Sequence, residues 1–283
     1  MTRETLDVSG VLRRVSVVKG YIDGGRLAVA VMSFDSIRLA EETESLVTQG
    51  RLRKYYRTAR PGRWYGGIAS ADCCGCNLRC VFCWSGAPRD NPGQMGKFYT
   101  PEYIFKKLTA CADKLGYSQL RVSGNEPTIG KEHLLELLKL VDQTRRTFIL
   151  ETNGTLIGGD EDYAKRLSKF SRVHVRVSMK GTNQEEFAAL TGANPEGFGL
   201  QLKALENLIN ANVPAHPAVM LSFSAEKSLE EFRDRVAAID PRLAGELEEE
   251  YVFLYPHVVE RLKRAGVSPR IAYSPGGIPS ELI

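Results

Sequence analysis

No stretch of the 283 residues approaches the ~20 consecutive apolar residues that a membrane-spanning helix requires, and Met1–Gly10 lacks the apolar core of a secretory signal. A cytoplasmic protein without a membrane partner is expected. There is no low-complexity segment and no repeat beyond an alternation of strands and helices. The net charge of +4 is too small to demand a nucleic-acid partner or to exclude one. Histidine is scarce and scattered, at His133, His174, His216 and His257. Cysteine is scarce almost everywhere: five of the six lie between Cys73 and Ser85, and none follows Cys111. Such crowding is unlike the spread disulfide framework of a secreted protein and suits reduced thiols that serve a metal.

Within that crowded stretch, Cys76, Cys80 and Cys83 are spaced C-x3-C-x2-C. Three close, evenly spaced thiols in one loop suit a single metal cluster. A four-iron cubane has four corners, so three cysteines leave one iron open to a small ligand, as an open catalytic site differs from a closed structural one.

Residues 1–63 read as a small N-terminal α+β segment. Leu12–Val18 and Arg26–Met32 are expected to form a hairpin turning through Gly20, Asp23, Gly24 and Gly25, and Ser33 or Asp35 to cap a helix ending by Gly50. The basic and aromatic run Arg51, Arg53, Lys54, Tyr55, Tyr56, Arg57, Arg60, Arg63, Trp64 and Tyr65 reads first as a solvated helix face leading into the core. Its alternative is a single-stranded nucleic-acid contact.

Residues 64–265 alternate strand and helix, with strands expected near Tyr65–Ser70, Gln119–Ser123, Thr147–Leu150, Val173–Val177, Pro217–Ser222 and Tyr251–Tyr255. Thr100 and Pro101 open a helix whose stripe Ile104, Leu108, Cys111 and Leu115 ends at Gly116, placing Cys111 in core packing. The pattern predicts an α/β fold, a partial (β/α)6 barrel of parallel strands, followed by a tail over 266–283. Polar motifs fall at the carboxyl ends of these strands, where such folds gather ligands.

The cysteine motif after a strand, followed by this rhythm, resembles the radical S-adenosylmethionine (radical SAM) superfamily. The resemblance implies a [4Fe-4S] cluster on Cys76, Cys80 and Cys83. Its open iron takes the amino and carboxylate groups of S-adenosylmethionine, whose reductive cleavage gives methionine and a 5′-deoxyadenosyl radical that abstracts a substrate hydrogen. Phe82 matches the aromatic position lying against the cofactor. Gly124-Asn125-Glu126-Pro127 resembles the family's Gly-Gly-Glu-Pro turn, with Glu126 accepting from the methionine ammonium. Asn125 replaces the second glycine and is a residue that tolerates left-handed backbone.

Glu151-Thr152-Asn153-Gly154 and Ser178-x-Lys180 resemble strand ends of glycyl-radical activating enzymes. Lys180 is thereby assigned to the cofactor carboxylate and Glu151, Asn153 and Ser178 to the region of the ribose. The substrate implied is a protein glycine. The sequence Cys80-Val-Phe-Cys83-Trp84 resembles tRNA wyosine-forming enzymes instead, which implies RNA, and a small molecule or peptide is a third possibility. A one-electron donor of flavodoxin or ferredoxin type is the implied partner. The lack of cysteine beyond Cys111 implies no C-terminal auxiliary clusters.

Two other readings compete. Structural zinc would need Cys73 or Cys74 as a fourth ligand at an unusual spacing. A fully ligated electron-transfer protein would need a fourth thiolate and leaves the later motifs unexplained. Cys73 and Cys74 read as packing beside the cluster, His133 as a surface residue, and His174 and His216 as ordinary sheet residues. His257, beside Tyr255, is the histidine best placed to approach adenine or substrate.

Overall fold

The computed structural model describes residues 33–279, and before them the backbone of residues 3–6, 12–22 and 25–32. The expected turn at Asp23 and Gly24 lies outside the described residues, as does the end of the tail beyond residue 279. Strands β1 (Arg3–Leu6), β2 (Leu12–Ile22) and β3 (Gly25–Met32) form a separate antiparallel sheet. Helix α1 (Ser36–Val47) follows, capped by Asp35, whose carboxylate accepts from the backbone N–H of Ile37 at 2.8 Å.

The remaining strands are β4 (Thr48–Gln49), β5 (Leu52–Gly62), β6 (Ile68–Cys73), β7 (Lys97–Tyr99), β8 (Gln119–Ser123), β9 (Thr147–Thr152), β10 (Val173–Met179), β11 (Ala215–Met220), β12 (Glu248–Glu250), β13 (Val252–Phe253) and β14 (Ala272–Tyr273). The helices are α2 (Gly86–Asp90), α3 (Pro101–Leu115), α4 (Lys131–Asp142), α5 (Thr155–Gly159), α6 (Glu161–Leu167), α7 (Gln184–Thr191), α8 (Gly197–Asn210), α9 (Glu226–Ile239), α10 (Pro241–Gly245) and α11 (Pro256–Ala265). Strands β6, β8, β9, β10, β11 and β12 run parallel in that order, and β5 continues the sheet antiparallel beyond β6. Sequential neighbours joined by helices make the expected partial barrel, with the sheet not closed.

The two faces of this sheet differ in kind. Leu120, Val122, Phe148, Leu150, Val173, Val175 and Val177 face the helices and form the main apolar core. The alternate positions, Arg121, Ser123, Glu151, Arg176, Ser178 and Glu248, line the concave side. Ordinary barrels fill that space with branched apolar side chains. Here the interior is polar, and the apolar core lies outside the strands.

Several elements differ from expectation for identifiable reasons. The Arg51–Tyr65 run is not a solvated helix face: most of it is β5, with Arg53, Lys54 and Tyr55 buried. Thr48–Gly62 therefore belongs to the main sheet. The sixth parallel strand is Glu248–Glu250 rather than Tyr251–Tyr255, because Val252–Phe253 turns away to pair with β14. In α3, Thr100 caps and Gly116 closes the helix at φ 71° as expected, but Ala112 completes the buried stripe. Cys111 is partly buried against the core, and Leu115 is exposed.

His133 is buried at 3% exposure, not on the surface. Its Nδ1–H donates to the Arg51 carbonyl at 2.9 Å, which leaves Nε2 to accept from the Tyr55 hydroxyl at 2.9 Å. Burial pushes the imidazole down to about 4. The unfolded chain takes up this proton first, so the contribution is full above roughly pH 6.5 and drains as pH falls towards the folded value. A loss of roughly 3 kcal/mol over that window is expected from His133. Urea unfolding at pH 7 and pH 4 should show a correspondingly smaller drop for His133→Gln. An equal drop in both proteins would assign the acid sensitivity elsewhere.

Candidate active site

The cysteine loop leaves β6 at the carboxyl end of the sheet and is anchored along its whole length. Gly75 N–H donates to the Asn125 side chain at 2.9 Å and the Pro88 carbonyl at 3.1 Å, while its carbonyl accepts from Glu126 N–H at 3.1 Å. Arg79 and Val81 N–H groups donate to carbonyls of Thr191 and Leu190 at 3.0 and 2.9 Å, pinning the loop to the end of α7. Asn77 is fully buried and donates to the Ser36 carbonyl and the Thr155 hydroxyl at 3.0 and 2.8 Å.

Cys76, Cys80 and Cys83 all line a cavity of about 1480 Å³ on the polar side of the sheet. Cys73 and Cys74 are fully buried and line no part of it. Among the described residues, no three His, Cys, Asp or Glu side chains converge closely enough to chelate one metal ion. Three thiols on one cavity wall suit an iron-sulfur group with one corner left open. Burial pushes Cys80 up to about 11, opposed by the charge of Lys180, and pushes Cys76 higher still. A metal taken up by these thiols would displace their protons.

The later strand ends converge on the same cavity. At the β8 end, Gly124 has φ 90°, and a Cβ there would stand 2.8 Å from the Tyr56 hydroxyl and 2.9 Å from Asp72 Cβ. Asn125 does not use the left-handed conformation that asparagine tolerates. It works instead through its side chain, which accepts from Gly75 and donates to the Ser85 carbonyl at 3.2 Å. Glu126 is buried: Oε1 accepts from Thr128 N–H, Thr128 Oγ1 and Thr152 Oγ1 at 3.1, 2.6 and 2.7 Å, and Oε2 from Asn153 N–H at 2.8 Å. Oε2 keeps acceptor capacity for one further donor.

At the β9 end, the Asn153 amide turns to the cysteine loop, donating to Asn77 at 2.8 Å and lying 3.9 Å from the Cys76 sulfur. Glu151 accepts from Arg121, from Tyr65 at 3.2 Å and from Ser123 at 3.3 Å. Burial pushes its carboxyl up, but Arg121 and Arg176 outweigh that and hold it below the usual range. After β10, the Lys180 ammonium donates to the Ser178 hydroxyl and lies 5.9 Å from the Phe82 ring centre, linking the β10 end to the cysteine loop. Ser178 donates to Glu250 at 2.6 Å.

Several cavity residues were not singled out from the sequence. Arg176 is buried between Glu248 and Glu250, at 2.7 and 2.9 Å. Burial raises the Glu248 carboxyl, but Arg176 and His216 prevail and hold it at about 2. His216 joins Glu248 at 3.0 Å and His174 at 2.7 Å, so the two histidines belong to the polar network rather than to plain sheet packing. The signal was available: Arg121 and Ser123, or His174, Arg176 and Ser178, alternate with the apolar residues of their own strands. Arg57 and Arg60 approach Asp72 across irregularities in the β5–β6 pairing, Arg60 at 2.7 Å and Arg57 at 3.9 Å. His257 sits at the rim, where its Nε2–H donates to the Trp84 carbonyl at 2.8 Å, since a carbonyl only accepts.

Residues 72–236 match the family model described as the radical SAM superfamily. The chain belongs to this superfamily and is a radical SAM enzyme, a class that uses a [4Fe-4S] cluster and S-adenosylmethionine and requires an electron donor. It is 30% identical over 141 residues to a probable GTP 3′,8-cyclase of Methanosarcina acetivorans, covering 49% of this chain and 40% of that protein. It is 27% identical over 158 residues to the mycofactocin maturase MftC of Mycolicibacterium smegmatis, covering 56% and 38% of the two chains. Among solved structures, Streptococcus suis SuiB bound to S-adenosylmethionine is similar with a TM-score of 0.48 and 17% identity, over 58% of this chain and 36% of that one. The matches thus span well under half of these proteins. Neither curated relative is named as a glycyl-radical activating enzyme. Among the described residues, no helix is long and apolar enough to cross a membrane.

Proposed function

We propose that Cys76, Cys80 and Cys83 hold the [4Fe-4S] cluster and that the reaction cavity beside them takes a nucleotide, free or within RNA, as substrate. When bound, the cluster and S-adenosylmethionine supply one-electron cleavage of a carbon-sulfur bond and abstraction of a substrate hydrogen. Three thiolates leave one iron for the methionine end of the cofactor. The remaining acceptor site on Glu126 Oε2 suits the methionine ammonium, and Lys180 suits its carboxylate. Gly124 leaves the space a side chain would take, Asn125 keeps the turn tied to the cysteine loop, and Phe82 offers an apolar face. Glu151, Asn153 and Ser178 are assigned to the neighbourhood of the ribose, with Asn153 acting through its brace on the Cys76 loop. A flavodoxin- or ferredoxin-like carrier is the proposed electron donor, for which a net charge of +4 is favourable if the carrier is acidic.

The observation that carries the nucleotide reading is the cavity lining. Trp84 is 43% exposed, and the Arg60 guanidinium lies 5.7 Å from its ring centre. Trp64 stacks on Phe253 at 5.8 Å, and Tyr255 on His257 at 5.8 Å. Flat aromatic faces interleaved with guanidinium groups suit a base and its phosphates. The name of the GTP 3′,8-cyclase relatives points to the same chemistry, whereas the maturase relatives point to another substrate.

With reduced, reconstituted protein, addition of GTP or a short RNA should stimulate formation of methionine and 5′-deoxyadenosine. Trp84→Ala should weaken nucleotide binding by about tenfold, as expected for one lost stacking face. Stimulation by a peptide, with neither nucleotide nor RNA having any effect, would refute the substrate reading.

A further inference from the structure

Each of the three cysteines of the motif has its backbone carbonyl bound by a different arginine. Arg79 Nη1 donates to the Cys76 carbonyl at 2.6 Å, Arg89 Nη1 to the Cys80 carbonyl at 2.6 Å, and Arg261 Nη1 to the Cys83 carbonyl. Their charges are not equally free. Arg89 forms a two-pronged pair with Asp90 at 2.7 and 2.9 Å, and Arg79 lies 3.9 Å from the same carboxylate. Arg261 makes no ion pair among the described residues. It reaches the loop from α11, 178 residues beyond its partner, and lines the reaction cavity.

The close fit at this contact is visible at Gly86, the first residue of α2. A Cβ there would stand 2.1 Å from Arg261 Nη2, so the guanidinium occupies the space that the missing side chain leaves. Gly86 does not have positive φ, so its backbone conformation does not itself demand glycine.

We propose that Arg261 is a positioning residue that tunes the cluster: its unpaired charge and its hydrogen bond at Cys83 stabilise the reduced state. This rests on the assignment of Cys76, Cys80 and Cys83 as ligands. Reduction adds one electron and hence one negative charge to a group held by three thiolates. A fixed cation bonded to a ligand's own peptide lowers the free energy of that state more than of the oxidised one. Arg79 and Arg89 support the loop in the same way, and with the Asp90 carboxylate between them they add together one net positive charge, as Arg261 does alone. The tuning therefore depends on a residue far outside the cysteine loop, and on α11 being docked.

The test is a reductive titration of the full chain carrying its reconstituted cluster, followed by electron paramagnetic resonance, with iron content measured in parallel. Arg261→Met should lower the reduced-to-oxidised ratio at fixed potential about tenfold, a fall of about 59 mV for a one-electron couple. Arg261→Lys should recover part of the shift. Gly86→Ala should lower the potential in the same direction, because it displaces the guanidinium while leaving the arginine in the sequence. Unchanged potentials in Arg261→Met and Gly86→Ala, with full iron, would overturn the proposal and leave the cysteine assignment intact. Absence of a cluster in the unaltered protein after reconstitution would overturn both.

Discussion

Alanine at Cys76, Cys80 or Cys83 is expected to deprive the protein of its intact cluster, with iron falling well below the roughly four atoms per chain of a [4Fe-4S] group. Each thiol lines the same cavity, and no other cysteine does. Cys73 and Cys74 are buried behind the loop, and Cys111 lies on α3 against the core. A substitute ligand is therefore not at hand. Cleavage of S-adenosylmethionine should fall beyond the ~10–100-fold typical of losing an outer-shell partner. Cys111→Ala should retain iron and activity, and Cys74→Ala should retain iron at some expense of stability. Iron and sulfide analysis with product quantification decides the matter. Full iron and activity in any one of the three motif variants would remove that cysteine from the ligand set.

Arg53→Met is expected to be the most damaging change away from the cavity. Arg53 is buried, and its guanidinium donates to the carbonyls of Ile129, Val47 and Glu126 at 2.8, 3.4 and 3.3 Å. It thus ties the end of α1 to the turn that carries the Glu126 carboxylate. Methionine fills much of the volume but leaves buried carbonyls without donors, each costing about 1–3 kcal/mol. Partial relaxation should reduce the sum to roughly 3–5 kcal/mol, measurable as a lower urea midpoint. Weaker binding of S-adenosylmethionine should accompany it as the Glu126 turn loosens. A stability loss below about 1 kcal/mol would show that water or rearrangement replaces the bonds.

The contrast between Arg53 and its neighbours shows where sequence is informative. Local rules sufficed for Gln119–Ser123, whose bounds agree with β8, and for the Thr100 cap and Gly116 stop of α3. The cysteine spacing and the three strand-end motifs likewise point to residues that meet in one cavity, because motif and position both lie in short stretches. Arg53 itself departs from that pattern because a cation in a basic run looks solvated, and two of its three acceptors, Ile129 and Glu126, lie more than seventy residues away. The strand Glu248–Glu250 was missed for a similar reason. Three consecutive glutamates carry no strand pattern until Arg176, across the sheet, supplies the countercharge. His133 was legible in principle: it lies four residues before Leu137, on the buried side of α4. The polarity of the imidazole points to the surface, whereas its helical phase points to the core, where it lies.

The separation of an apolar outer core from a polar concave face has a bearing on how this scaffold can diverge. The valines and leucines between strands and helices carry the burial that stabilises the sheet, while the arginines, glutamates and serines opposite them meet the reaction cavity. Adjacent residues on one strand therefore serve two separate demands. Charge-balanced exchanges on the concave side can reshape what the cavity accepts without thinning the hydrophobic layer. The same catalytic loop can thus be inherited unchanged while the chamber behind it is refitted for a different guest.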